Sequence, residues 1–275
     1  MKTDDPARNF RGNKLNRRTL RYNTSGLFNI TRILIITIFL PCCIPCYYTP
    51  NVQNVPLFNS RNQAHLMAGY RFGLYSRGWD IQTAYSITDH LGIAANYNHF
   101  GAQYKDWEIN TDIDDGHFRG DLFEFGLGYF IPITDKFIFE TYGGMGWGGV
   151  RNEFSNYLSD LESKVNYNRY FVQPAIGWRH PKVSLALSTR LGMVHYTGYT
   201  QNDPNNQYGM YDLMGLEHNP CWLLEPAFTF RGGGKVVKFQ AQVCLSFDLN
   251  NEEFNYDPFS FSFGVVATLG GKKKE

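Results

Sequence analysis

The chain has 275 residues, and its 26 Lys and Arg against 25 Asp and Glu leave a formal net charge of +1. Broad nucleic-acid binding draws on a surplus of cations to displace counterions from phosphate, so this balance argues against it. Charged residues make up 19% of the chain and aromatics 16%, with 27 glycines. That is the composition of β-structure with many turns, and it excludes a disordered polymer. A negative mean hydropathy and the lack of long apolar runs also exclude a bundle of membrane helices.

The first element is an export signal. Residues Ile33 to Ile44 form a short apolar stretch preceded by Arg32 and a basic segment containing Lys14, Arg17, Arg18 and Arg21. A positive region followed by an apolar run of this size describes a secretory signal, too short to span a bilayer. Residues 1–45 are therefore read as leader and signal peptide. Arg17-Arg18 is a loose twin-arginine pair, and the polar first 30 residues are either a long basic region or a start assigned too early.

Cys42, Cys43 and Cys46 cluster at the end of the apolar run. Bacterial lipoprotein signals end at a cysteine that is acylated and becomes the new N-terminus. Cys46 is the best candidate because a polar, extended segment follows it at once. Cleavage elsewhere, with the cysteines as ordinary signal residues, is the alternative. Residues 46–63 then read as an extended periplasmic tether. The run Cys46-Tyr47-Tyr48-Thr49-Pro50-Asn51-Val52-Gln53-Asn54-Val55-Pro56-Leu57-Phe58 resembles the mature start of a group of outer-membrane β-barrel lipoproteins from Bacteroidota. The resemblance implies a location and a fold, with no activity attached.

From residue 64 the hydropathy has period two, the period of a strand with one face buried. Phe239, Ala241, Val243, Leu245 and Phe247 alternate with Lys238, Gln240, Gln242, Cys244, Ser246 and Asp248. Ten such stretches fit, over 64–74, 79–88, 91–105, 118–133, 136–152, 166–180, 182–198, 221–231, 235–249 and 259–269. Each has the roughly 9 to 11 residues, or more, of a tilted transmembrane strand. Short connections near 88–90, 134–136, 180–182 and 232–234 alternate with long polar ones at 106–117, 153–165, 199–220 and 250–258, with one short exception around 76–78. The pattern predicts an all-β, antiparallel up-and-down transmembrane β-barrel over 64–271, of about ten strands (eight as the alternative), with a basic tail at 272–275. An even count puts both termini on the periplasmic side of a bacterial outer membrane. A soluble sandwich or lipocalin-like barrel is the competing fold.

One face of these strands carries Leu66, Tyr70, Phe72, Trp79, Ile81, Phe123, Phe125, Leu127, Trp222 and Phe228 and no charge. The other carries Arg71, Asp80, Glu124, Glu140, Arg169, Arg179, Arg190, Glu225, Arg231, Lys238 and Asp248. In a membrane barrel these charges point into the lumen and pair with one another. A ten-stranded lumen is narrow enough for such side chains to fill, so an open porin is not expected. Gly126, Gly128, Gly144, Gly146 and Gly148 on the same face leave room for a small cavity.

Cys221 and Cys244 are the remaining cysteines. A two-residue turn at Gly232-Gly233 would place them opposite each other on the lumen face, close enough for a disulfide in an oxidising compartment. A longer turn would shift the register.

No catalytic motif is present, and Gly143–Gly149 lies mid-strand with no following helix, so it reads as a bend rather than a phosphate loop. Candidates for a rim enzyme, a hydrolase or acyltransferase, are His99, Asp106, Asp112, Asp114, Asp115, His117, His195, Asp203, Asp212, Glu217 and His218. Such an enzyme would need a histidine with an acidic or serine partner within hydrogen-bond reach. Asp112, Asp114 and Asp115 could hold Ca²⁺ but read more simply as a solvated acidic loop. The expected role is therefore non-catalytic, structural or accessory, with a narrow small-solute channel as a further alternative. No cofactor or metal is expected. Expected partners are outer-membrane lipid and another envelope protein met through the long loops, among them the Tyr- and Met-rich loop 199–219.

Overall fold

The computed structural model describes residues 47–105, 115–155, 160–202, 219–250 and 256–270. The strands are β1 (Gln63–Gly73), β2 (Arg77–Ser86), β3 (Leu91–Lys105), β4 (Asp115–Pro132), β5 (Phe137–Ser155), β6 (Asp160–Arg179), β7 (Val183–Gln201), β8 (Cys221–Gly233), β9 (Val237–Leu245), β10 (Phe247–Asp248) and β11 (Phe259–Gly270). From β1 to β8 each strand pairs antiparallel with the next, β9 and β10 both pair with β8, and β11 pairs with β9 and returns to pair with β1, so the sheet closes on itself. Closure leaves no unpaired edge, which a sheet immersed in lipid cannot carry.

The barrel has ten staves, not eight, because β9 and β10 are one stave. Both keep the same register on β8, with Cys244 opposite Ala227 and Phe247 opposite Leu224. The interruption follows from Pro226, which lacks an N–H to donate to this ladder. Ser246 N–H, beside the gap, donates instead to the Pro258 carbonyl at 2.8 Å.

Every stave buries alternate residues. Leu127 and Leu187 on the outside are 63% and 60% exposed, whereas Glu124, Glu140, Arg169 and Arg190 are wholly buried. The arrangement is that of a soluble barrel turned inside out. A continuous outer belt of Leu, Ile, Val, Phe and Trp is far larger than the apolar patches a water-soluble protein exposes. A sandwich with its aromatic face inside is thereby excluded.

Four short turns lie at one end of the barrel. All four are closed by hydrogen bonds, Ile87 N–H to Leu91 O, Ile133 N–H to Phe137 O, His180 N–H to Val183 O and Gly234 N–H to Val237 O, all 2.8 Å. The connections at the other end include the long ones. The loop expected over 153–165 is shorter than its polar sequence suggests, since β5 and β6 pair as far as Ser155 and Asp160. The apolar signal stops where the hairpin leaves the apolar belt, but the backbone ladder continues beyond it.

The register also corrects the expected disulfide. The β8–β9 turn is four residues long, with Gly233 opposite Lys238 and a positive φ of 147° at Gly233. Cys244 therefore faces Ala227, six positions along β8 from Cys221, and the two buried thiols are not bonded to each other. Denatured without reductant, the protein is expected to take up an alkylating label on both Cys221 and Cys244. Label appearing only after reduction would show a bond that this register forbids.

Candidate functional site

The lumen is occupied by the chain itself. Residues 47–58 and Ser60 are buried, although the sequence reads as a tether leading to the first strand. The segment runs from the loop end of the barrel to the turn end. At the loop end, the Tyr47 carbonyl accepts from Tyr196 Oη at 3.2 Å, and Tyr48 forms a bridge with Tyr256. At the turn end, Phe58 packs edge-on against Phe130 with ring centroids 5.7 Å apart. Arg61 N–H donates to Asp89 at 3.0 Å and Asn62 N–H to the Ser86 carbonyl at 2.8 Å, after which β1 begins.

Pro50 and Pro56 favour an extended conformation in Thr49 and Val55, which precede them. A buried extended chain must then find partners for its peptide groups, at a cost comparable to a lost hydrogen bond for each one missed. Lumen amides and carboxylates supply them. Val52 N–H donates to Asp80 at 3.2 Å, and its carbonyl accepts from Gln82 at 2.5 Å. The Gln242 amide accepts from Gln53 N–H at 2.7 Å and donates to the Gln53 carbonyl at 3.0 Å, as a neighbouring strand would. Gln173 donates to the Asn54 carbonyl at 2.8 Å.

Midway, the segment enters an ionic cluster. Arg169 pairs with Glu124 at 3.2 Å and with Glu225, while Arg190 lies 3.7 Å from Glu225. Asn51 ties them together, accepting from Arg169 at 2.9 Å and from Arg190, and donating to Glu124. Tyr48 donates to Glu225 at 2.7 Å, and the Arg169 guanidinium sits 5.1 Å from the Tyr48 ring centroid. All four charged groups are wholly buried, so each depends on these partners.

The other expected lumen charges are placed differently. Arg71 and Asp80 pair at 3.8 Å. Glu140 accepts from Leu57 N–H at 2.9 Å and Arg179 donates to the Leu57 carbonyl at 2.9 Å, so this acid and this base hold the segment rather than each other. Arg231 donates to Gln240 at 2.6 Å, Lys238 donates to the His180 carbonyl at 3.3 Å, and Asp248 caps Asn250 N–H at the rim. Leu57 itself has a positive φ of 55°, a conformation that strains a branched side chain. The two hydrogen bonds fix it, and its side chain fills the space over Gly177 that a Cβ there would need.

The lumen glycines likewise leave little room. A Cβ at Gly128 would strike the Tyr142 ring, and one at Gly148 the Tyr167 ring. The lumen is thus filled by the segment and by aromatic rings as well as by ion pairs. The contributions of Tyr48, Asn51, Gln53 and Asn54 were not evident from sequence. The available signal was the set of Asn and Gln on the lumen face at 82, 96, 173, 240 and 242, since an amide can both donate and accept as a peptide does.

The rim candidates divide. His99 lies 2.9 Å from Asp121, which also accepts from Tyr97 Oη at 2.5 Å. His117 lies 2.9 Å from Glu153, itself bound by Arg151 at 2.8 Å. Both pairs sit on the outward face, beside a notch lined by Arg77, His99, Gly101, Ala102, Gln103, His117, Phe118 and Arg119 that offers no hydroxyl or thiol. Cys46, Asp106, Asp112, Asp114, Asp203, Asp212, Glu217 and His218 lie outside the described residues, as does the Asp115 side chain. Among the described residues no group of His, Cys, Asp and Glu could hold a metal ion. At the loop end Asp257 accepts from Leu74 N–H at 2.8 Å and Ser76 Oγ at 2.7 Å; burial nonetheless pushes its carboxyl above the usual range.

No family model matches the chain, and no curated protein does. Solved structures that resemble it include the KdgM porin, with 9% identity and a TM-score of 0.34 over 75% of this chain and 99% of that one. The NanC porin has 13% identity and a TM-score of 0.36, over 75% and 100%. The translocator domain of the autotransporter NalP from Neisseria meningitidis has 10% identity and a TM-score of 0.41, over 75% and 86%. The chain has the outer-membrane β-barrel fold: a closed antiparallel barrel with an apolar exterior and a polar lumen.

Proposed function

We propose that the chain is a lipid-anchored outer-membrane barrel, sealed by its own leading segment, that serves a structural or accessory role and presents its long loops to an envelope partner. The observation that carries this reading is the buried path of residues 47–58, whose peptide groups are bonded to the lumen wall at both ends and in the middle. A lumen filled in this way leaves the outer surface and the loops as the working parts. The long loops are taken as external and the short turns as periplasmic, the usual disposition of such barrels.

A rim enzyme has the His99–Asp121 and His117–Glu153 pairs in its favour. Their outward placement, without a nucleophile in the neighbouring notch, suits lipid headgroup contact better than covalent chemistry.

Expression with and without Cys46→Ala, followed by membrane fractionation and mobility of unboiled against boiled samples, tests the proposal. Both forms are expected in the outer-membrane fraction with a compact unboiled band, and metabolic labelling with a fatty acid should disappear in the variant. A soluble protein with no heat-dependent mobility would overturn the membrane reading, and label retained by the variant would overturn the anchor.

A further inference from the structure

We infer that the leading segment leaves the barrel at the long-loop rim, so that the N-terminal anchor sits in the outer leaflet, at the cell surface, rather than in the inner leaflet. This rests on the proposed anchor at Cys46 and on the long-loop end being external. The direction of the segment is fixed by its contacts. Tyr47 bonds Tyr196 and belongs to one buried cluster with Phe100, Phe118, Val165 and Tyr196, all toward the loop ends of their strands. Arg61 and Asn62, at the other extreme, bond the short turn between β2 and β3 and the end of β2.

Length makes the direction consequential. Fourteen peptide steps from Tyr47 to Arg61 span at most about 46 Å at roughly 3.3 Å per residue, more than the roughly 30 Å hydrocarbon core of a bilayer. The residue before Tyr47 is one peptide unit, about 3.8 Å, further on. It cannot recross the membrane, so an anchor attached there is held at the loop end. The wall also offers a way out. β8, β10 and β11 stop short of the tall β5–β6 hairpin, and Tyr47 shares its buried cluster with Cys221 and Leu223, at the start of β8 on that low side. Just outside it, Trp222, Phe247 and Leu249 keep the surface apolar up to the rim, which suits acyl chains lying against the barrel.

The test uses three versions of the full chain, with one epitope placed between Cys46 and Tyr47, between Tyr208 and Gly209 in the long loop, or after Glu275. Heat-dependent mobility first verifies that each barrel has formed, and antibody binding is compared on intact and permeabilised cells. The epitopes at 46/47 and 208/209 are expected to bind antibody equally in both, and the one after Glu275 only after permeabilisation. An epitope at 46/47 that behaves like the C-terminal one, while the loop epitope is surface-exposed, would overturn the inference and leave the barrel's orientation intact. A loop epitope hidden on intact cells would instead overturn the assumed orientation, and outer-leaflet anchoring with it. If the 46/47 epitope prevents folding, a single cysteine inserted there and probed with a membrane-impermeant maleimide gives the same discrimination.

Discussion

Removing residues 47–60 is expected to turn a sealed barrel into a conducting one. In planar bilayers the full-length protein should show no steady current, and the deletion variant should open discrete channels. The lumen held an extended chain with its side chains, a space about 10 Å across, comparable to the packing distance between facing sheets. Once it is vacated, water reaches Arg169, Arg190, Glu124, Glu225, Asp80 and Glu140, and a polar, hydrated conduit replaces a packed interior. A synthetic peptide of residues 47–62 added to the deletion variant should reduce the current, since Gln242, Gln173 and Gln82 would again find the peptide groups they bond. Equal conductance with and without the segment would mean that the segment does not seal the lumen.

Arg169→Met should be the most destabilising single substitution in the lumen. Methionine keeps much of the volume but leaves Glu124 and Glu225 buried without their shared cation, and truncating one partner of such a group costs about 3–5 kcal/mol. The readout is the temperature or urea concentration at which the compact unboiled band is lost. Adding Glu124→Gln and Glu225→Gln to the same variant should restore much of the loss, because neutral amides remain bonded to Asn51 and Tyr48 without an unpaired charge. A single substitution that leaves the midpoint unchanged would show that the cluster is hydrated rather than packed.

Much of the barrel was legible in the sequence, because period-two alternation is a local signal and membrane strands obey it on both faces. The lumen positions of Glu124, Arg169, Arg190 and Glu225 followed directly from that parity. The leading segment was not legible, for a physical reason. Thr49, Asn51, Gln53 and Asn54 look like residues meant for water, and here each meets a side chain or peptide group of the wall. Asn51 meets Glu124 and Gln53 meets Gln242, and separations of 73 and 189 residues leave no trace in a local pattern. The cysteine pair failed on a narrower point. Its pairing depended on the position of one glycine turn, and a turn centred three residues further along the chain displaced the register by six positions.

The segment inside the barrel is covalently continuous with β1, which is itself part of the wall, and this bears on how the molecule is built. With the proposed lipid on it, the leading end could not be drawn through a finished cylinder, because the acyl chains would have to cross a polar interior lined with amides and charges. The seam must instead seal while the segment already lies against the open sheet, as a cask is closed around its contents. The β9–β11 and β11–β1 junctions join the C-terminal strands to the beginning of the wall, and these are the contacts left to form last. Synthesis order then becomes assembly order, with the first exported residues serving as the template on which the rest of the sheet curls.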